Sequence, residues 1–146
     1  MPTLTKSISI LLIVLTIFLA LSAVAGGIQL LEGTYAPPVD LLAGSPFDGY
    51  VIPGLALGVI VGGSAFFAAV LLIRKSRFGL LASVAAGLII MFFEFVEVLV
   101  IGSPEGPAFA LQVFYFGLGV VIAVVSLGQW FVELLAGMKT SPQVSA

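Results

Sequence analysis

LLASVAAGLIIMFFEFVEVLVI, residues 80–101, is the stretch on which the reading of this chain turns. It is long enough to carry an α-helix across the roughly 30 Å of a bilayer's hydrocarbon core. Its polar side chains are Ser83, Glu94 and Glu97. A carboxylate inside hydrocarbon is costly and normally faces other protein or a water-filled space. At 100° per residue Glu94 and Glu97 share a helix face with Ser83 and Gly87, whereas Leu88, Phe92, Val96 and Leu99 occupy the opposite side. The acids are therefore expected to look inward and the leucine and phenylalanine face to look at lipid.

The rest of the chain agrees with a membrane setting. Its 146 residues are 61% hydrophobic and 8% charged, and the mean hydropathy is +1.31. A soluble domain of this length could not cover its surface with so few charges. Three further apolar segments, 7–25, 51–73 and 108–137, are near or above spanning length. With 80–101 they predict an all-α fold, a single membrane domain over 1–146 built as a four-helix bundle of antiparallel hairpins. Segment 26–50, with Pro37, Pro38 and Pro46, is expected to be an extracytoplasmic loop that lies on the bilayer surface or caps the bundle.

Charge sets the expected orientation. Lys6, Arg74, Lys75, Arg77 and Lys139 all fall on one side of the four spans, and Glu32, Asp40, Asp48 and Glu105 fall on the other. The positive-inside rule then puts both termini in the cytoplasm, in a multi-pass protein of the cytoplasmic (inner) membrane. Lys6, the apolar run that follows and Ala23-Val24-Ala25 also have the form of a signal peptide with its cleavage site. Retention is the expectation, because the apolar run continues almost to spanning length.

Absences narrow the chemistry. Without cysteine or histidine, thiolate metal sites, cysteine nucleophiles and the commonest general base are excluded. Gly62-Gly63-Ser64 has no base to activate its hydroxyl, and two carboxylates are too few for a hard divalent cation. No enzyme activity, metal or cofactor is expected. Five cations in all offer no basic patch for nucleic acid.

The third and fourth spans carry the candidate site. Gly102-Ser103-Pro104-Glu105-Gly106-Pro107 is a compact turn, so residues equidistant from it share a depth, pairing Glu97 with Gln112 and Glu94 with Tyr115. At 1.5 Å per residue the two acids lie about 6 and 10 Å below the end of the span. The fourth span has its own stripe of Gln112, Tyr115, Gly119, Ala123, Ser126, Trp130 and Glu133. Lacking a cation from their own half, Glu94 and Glu97 should share a proton or meet a cation. Glu133 is expected to pair with Lys139 or the 74–77 cations, and Trp130 to anchor at the interface. In the second span Gly54, Gly58 and Gly62, extended by Ala65 and Ala69, form a small-residue stripe that admits another helix, from this chain or a second copy.

Pro46-Phe47-Asp48-Gly49-Tyr50-Val51-Ile52-Pro53-Gly54, followed by the glycine-rich span, resembles small four-span bacterial membrane proteins. The resemblance implies four spans and no particular activity. Two functions fit these residues. One is an accessory or binding subunit whose acids meet a basic group, the bilayer and another membrane protein or a second copy being its partners. The other is a small proton- or cation-coupled translocator or channel, oligomeric, routed along the stripe toward Glu133.

Overall fold

A computed structural model describes residues 2–140 of the chain. Among them there is no strand. Four helices are long and apolar enough to cross a membrane: α1 (Pro2–Glu32), α2 (Val51–Ile73), α3 (Gly79–Ile101) and α4 (Pro107–Thr140). This is the all-α fold of a small multi-pass membrane protein. Helices satisfy their backbone groups internally, which hydrocarbon demands.

The helix ends follow local chemistry. Lys75 takes a left-handed conformation with φ 54° after α2, with Lys75 N–H on Leu72 O at 3.0 Å and Ser76 N–H on Leu71 O at 2.9 Å. That is the double bond of a Schellman stop. Gly102, with φ 73°, ends α3, its N–H donating to Val98 O at 2.9 Å, and Pro107 opens α4 where a missing N–H costs little.

Two differences from the sequence reading concern the first hairpin. The first helix does not stop at Ala25 but runs to Glu32, so the connecting segment covers 33–50 and holds one 3₁₀ turn, Val39–Leu42. The reason is packing. Gly26-Gly27 reads as a helix end by propensity, yet a methyl group on Gly27 would stand 2.7 Å from Gly54 O and 2.8 Å from Gly58 Cα. The glycines let two backbones touch. The small-residue stripe of α2 thus meets α1 of the same chain, and Gly62 faces Val24 and Ala20 there.

The other difference is that α2 is not uniformly α. Between Val51–Leu55 and Gly62–Ile73 lies a π-helical turn, Ala56–Val61, closed by Gly62 N–H reaching back five residues to Leu57 O. Such wide turns are most often found near functional sites.

α3 and α4 meet through Gly87 and Gly119. A methyl on either would lie 2.7 Å from the carbonyl oxygen of the other. Together with the bond between Glu97 and Gln112, these contacts run in opposite chain directions. A central core of Leu19, Val61, Ala65, Ile90 and Ile122 joins all four helices. A second cluster, Leu12, Leu72 and Leu80, with Trp130 packed against it, closes the end that carries Arg74, Lys75 and Arg77. We call this the cationic end and the opposite one, with Glu32, Asp40, Asp48 and Glu105, the acidic end. Phe92 and Leu99 of α3 point outward, 68% and 69% exposed, as surfaces for lipid.

Candidate functional site: an acidic wall in an apolar chamber

Above the central core the two hairpins diverge toward the acidic end, and a chamber of about 1070 Å³ lies between them. Its walls are largely apolar, from Leu19 and Ala23 of α1, Leu57 and Ile60 of the π turn, Phe93 of α3 and Leu111 of α4. The 33–50 segment contributes Pro38, Leu42 and Tyr50. Leu42 and Tyr50 are buried, and the Tyr50 hydroxyl donates to Pro38 O at 3.2 Å, which ties the two ends of the segment's inner part together. Burial pushes the Tyr50 phenol above its ordinary value of 10.0, and the Glu97 carboxylate adds to that push.

The two acids of α3 stand on one wall, and Ser22, Gln29 and Tyr35 add neutral polar groups elsewhere in the lining. Glu94 is buried at 6% exposure and Glu97 is half-buried beside it. Both line the chamber, as do Gln112 and Tyr115. Gln112 Nε2 donates to Glu97 Oε1 at 3.1 Å and to Gly102 O at 3.0 Å, so the depth arithmetic for Glu97 and Gln112 holds as a contact. For Glu94 it does not: Tyr115 makes no hydrogen bond to it, and its ring instead stands edge-on to Phe114 at 5.2 Å. Phe114 in turn meets Phe18 of α1 edge-on at 6.0 Å, bridging α4 to α1. Among the described residues Glu94 has no hydrogen-bond or ion-pair partner.

The amide of Gln112 is oriented by its neighbours. Flipping it would turn its oxygen toward Glu97 Oε1 and Gly102 O, acceptor against acceptor. In the orientation present both N–H bonds are used, and Oε1 is buried without a donor. Glu94 and Gln112 also line a smaller cavity of about 400 Å³ on the flank of the α3–α4 seam, with Phe95, Phe109 and Phe116. The two side chains thus form a partition between chamber and flank.

Toward the cationic end the polar stripe closes up. Ser83 and Ser126 are fully buried, Ser83 bonding back to Gly79 O at 2.9 Å while Ser126 Oγ has no partner among the described residues. Gly87 against Gly119 and Ala123 shuts the seam between these serines and the acids. Glu133 is exposed and accepts a bond from Gln129 Nε2 at 2.9 Å. Among the described residues the ion pair expected with Lys139 or the 74–77 cations is not formed, and the carboxylate is met instead by a neutral amide one helical turn away. Trp130, expected as an interface anchor, is half-buried on the Leu12, Leu72 and Leu80 cluster. Gln129, 5% exposed, and Thr16, fully buried with its hydroxyl on Leu12 O at 2.8 Å, were not singled out by the sequence. A polar residue at the buried angle of an apolar helix is the signal that marks each of them.

No family model matches this chain, and no curated protein or solved structure matches it.

Proposed function

We propose that this small integral membrane protein is an accessory or binding subunit whose acid pair receives a basic group entering from the acidic end. The observation that carries the reading is the state of Glu94: buried, without a partner among the described residues, beside Glu97, on the wall of a large chamber. A carboxylate pair in such a place calls for an external counter-charge or donor. Every lysine and arginine of the chain lies toward the other end or beyond it in sequence. In this reading the cationic end faces the cytoplasm of a bacterial cell, both termini are inside, and the chamber opens outward across the inner membrane. Kinship with small four-span bacterial membrane proteins belongs to the same proposal. Extraction in a gentle detergent should yield a stoichiometric partner or ligand that is lost in Glu94→Gln and Glu97→Gln. Isolation of the wild type with nothing bound, and behaviour identical to the variants, contradicts the proposal.

A proton- or cation-coupled translocator is the second reading, favoured by the buried polar line of Ser83, Ser126 and Gln129 that continues from the acids toward Glu133. The Gly87–Gly119 seam stands in that route, so transport requires α3 and α4 to part. Flux in proteoliposomes that disappears in Glu94→Gln supports transport; undiminished flux in that variant removes it.

A further inference from the structure

The chamber is far larger than two carboxylates need. At about 1070 Å³ it stands at the upper edge of the volumes that hold a whole small molecule, about 300–1000 Å³. A lysine side chain reaching in from a neighbouring protein would leave most of it unfilled. The space is bounded mostly by apolar side chains; its charged groups are Glu94 and Glu97 on one wall and Glu105 at the mouth, and Ser22, Gln29, Tyr35 and Tyr50 add neutral polar groups elsewhere. No lysine or arginine lines it.

The charge balance of that wall is one-sided. Gln112 spends both amide hydrogens on Glu97 and Gly102, and its buried Oε1 is left as an acceptor without a donor. The Tyr50 hydroxyl, which could have served Glu97, is committed to Pro38 O. Glu94 offers carboxylate oxygens that no donor of the described residues meets. Two acids therefore stand together on the wall of a mostly apolar space that holds no cation. The complementary head carries positive charge and more than one N–H, as an ammonium does. A phospholipid amine fits poorly, since its phosphate would be brought beside the carboxylates.

We infer that the chamber binds a lipophilic amine, its ammonium at Glu94 and Glu97 and its apolar body against α1, the π turn of α2 and Leu111. This rests on the reading that the acid pair receives a basic group, and it names the class of molecule that brings it. The π turn forms the wall on the side where that body lies. Pro38, Leu42 and Tyr50 cover it.

The test is native mass spectrometry of the full chain released from phosphatidylcholine nanodiscs after titration with dodecylamine, dodecyltrimethylammonium or dodecanol. Wild type should retain one saturable equivalent of dodecylamine. Loss of one charge-assisted contact in Glu94→Gln or Glu97→Gln should weaken retention about tenfold or more. The trimethylammonium compound, charged but without N–H, should bind about tenfold more weakly than the amine by the same reasoning, and dodecanol weaker still. Glu133→Gln, the same change outside the chamber, should leave retention unaltered. Ala56→Trp narrows the chamber without touching the acids and should also reduce retention, which keeps the inference testable if the acid variants fold poorly. Equal retention by wild type and the Glu94→Gln, Glu97→Gln double variant overturns it, as does equal retention of amine and alcohol. If dodecylamine is not retained while an acid-dependent protein partner still co-extracts, this inference fails and the accessory role stands. If neither is seen, both fail.

Discussion

The two ends of this bundle solve the same problem in opposite ways. At the cationic end, buried polar groups other than Ser126 are absorbed by the helices that carry them: Thr16 bonds to Leu12 O, Ser83 to Gly79 O, and Gln129 to the exposed Glu133. Leu12, Leu72 and Leu80 then fill the space with Trp130 against them. At the acidic end the polar groups face away from their own helices into a shared chamber, and one of them, Glu94, meets no partner in the described chain. Since the same four helices build both ends, the contrast lies in side-chain size and spacing rather than in fold. Gly87 against Gly119 draws α3 and α4 together at the closed end, and the pair Gly27–Gly54 holds α1 on α2 beside the chamber. The hairpins are each tight, and the gap falls between them.

The largest disruption of the contrast should come from Ile122→Ala. Ile122 is fully buried in the core that joins the four helices just below the chamber. In lipid the transfer term is small, but the cavity term remains, so a loss of about 2 kcal/mol is expected. Unfolding by graded denaturing detergent, followed by circular dichroism, measures it. An Ile122→Ala protein as stable as wild type would mean that the core does not separate the two ends.

Gly119→Ala comes next, with an expected cost of about 1–3 kcal/mol from overpacking, because the added methyl meets Gly87 O at 2.7 Å and Ile90 Cγ2 at 2.8 Å. Gly117→Ala on the same helix meets nothing within 4 Å and should change stability by less than about 0.5 kcal/mol. The difference between the two variants, read in the same unfolding assay, isolates the α3–α4 seam. Equal effects would deny the close approach.

A smaller effect is expected at the cap. Tyr50→Phe removes the bond to Pro38 O and should cost about 0.5–1.5 kcal/mol, seen as faster proteolysis of the 33–50 segment. The sign with pH follows from the raised phenol: folding favours the neutral form, so its contribution is complete below 10.0 and is lost as pH climbs through the higher folded-state value. Wild type should therefore become more protease-sensitive in strong alkali, and Tyr50→Phe should lack that titration. An alkaline rise of the same size in both would assign it elsewhere.

Much of this contrast could be read from residues alone. The distance of Glu97 and Gln112 from the Gly102–Pro107 turn was enough to place them in contact, and the exposed Phe92 and Leu99 face followed from the helical period. Depth and face are properties of one helix or one short hairpin, which a sequence encodes directly. The chamber is a property of the distance between hairpins, and no period within a helix reports that. The extension of α1 past Ala25 is hidden for a related reason: Gly26-Gly27 signals a helix end by propensity, and only the facing Gly54 makes it a packing site. The π turn at Ala56–Val61 has no residue signature at all. The partner of Glu133 is equally illegible, because charge arithmetic points to cations and gives no weight to a neutral amide, Gln129, one turn away.

The central claim is that the acid pair is reached from one end, through an electronegative chamber, above a closed seam. A chain without cysteine allows this to be measured with single introduced thiols. Tyr115→Cys and Ser126→Cys, each in proteoliposomes of known orientation, would be treated with the cationic trimethylammonium-ethyl or the anionic sulfonatoethyl methanethiosulfonate. The account predicts that Tyr115→Cys reacts from the acidic end alone, faster with the cation, that this preference falls when Glu94 and Glu97 are both changed to Gln, and that Ser126→Cys stays unreactive from either side. Equal rates for the two reagents at position 115, or modification at 126 as rapid as at 115, would contradict it.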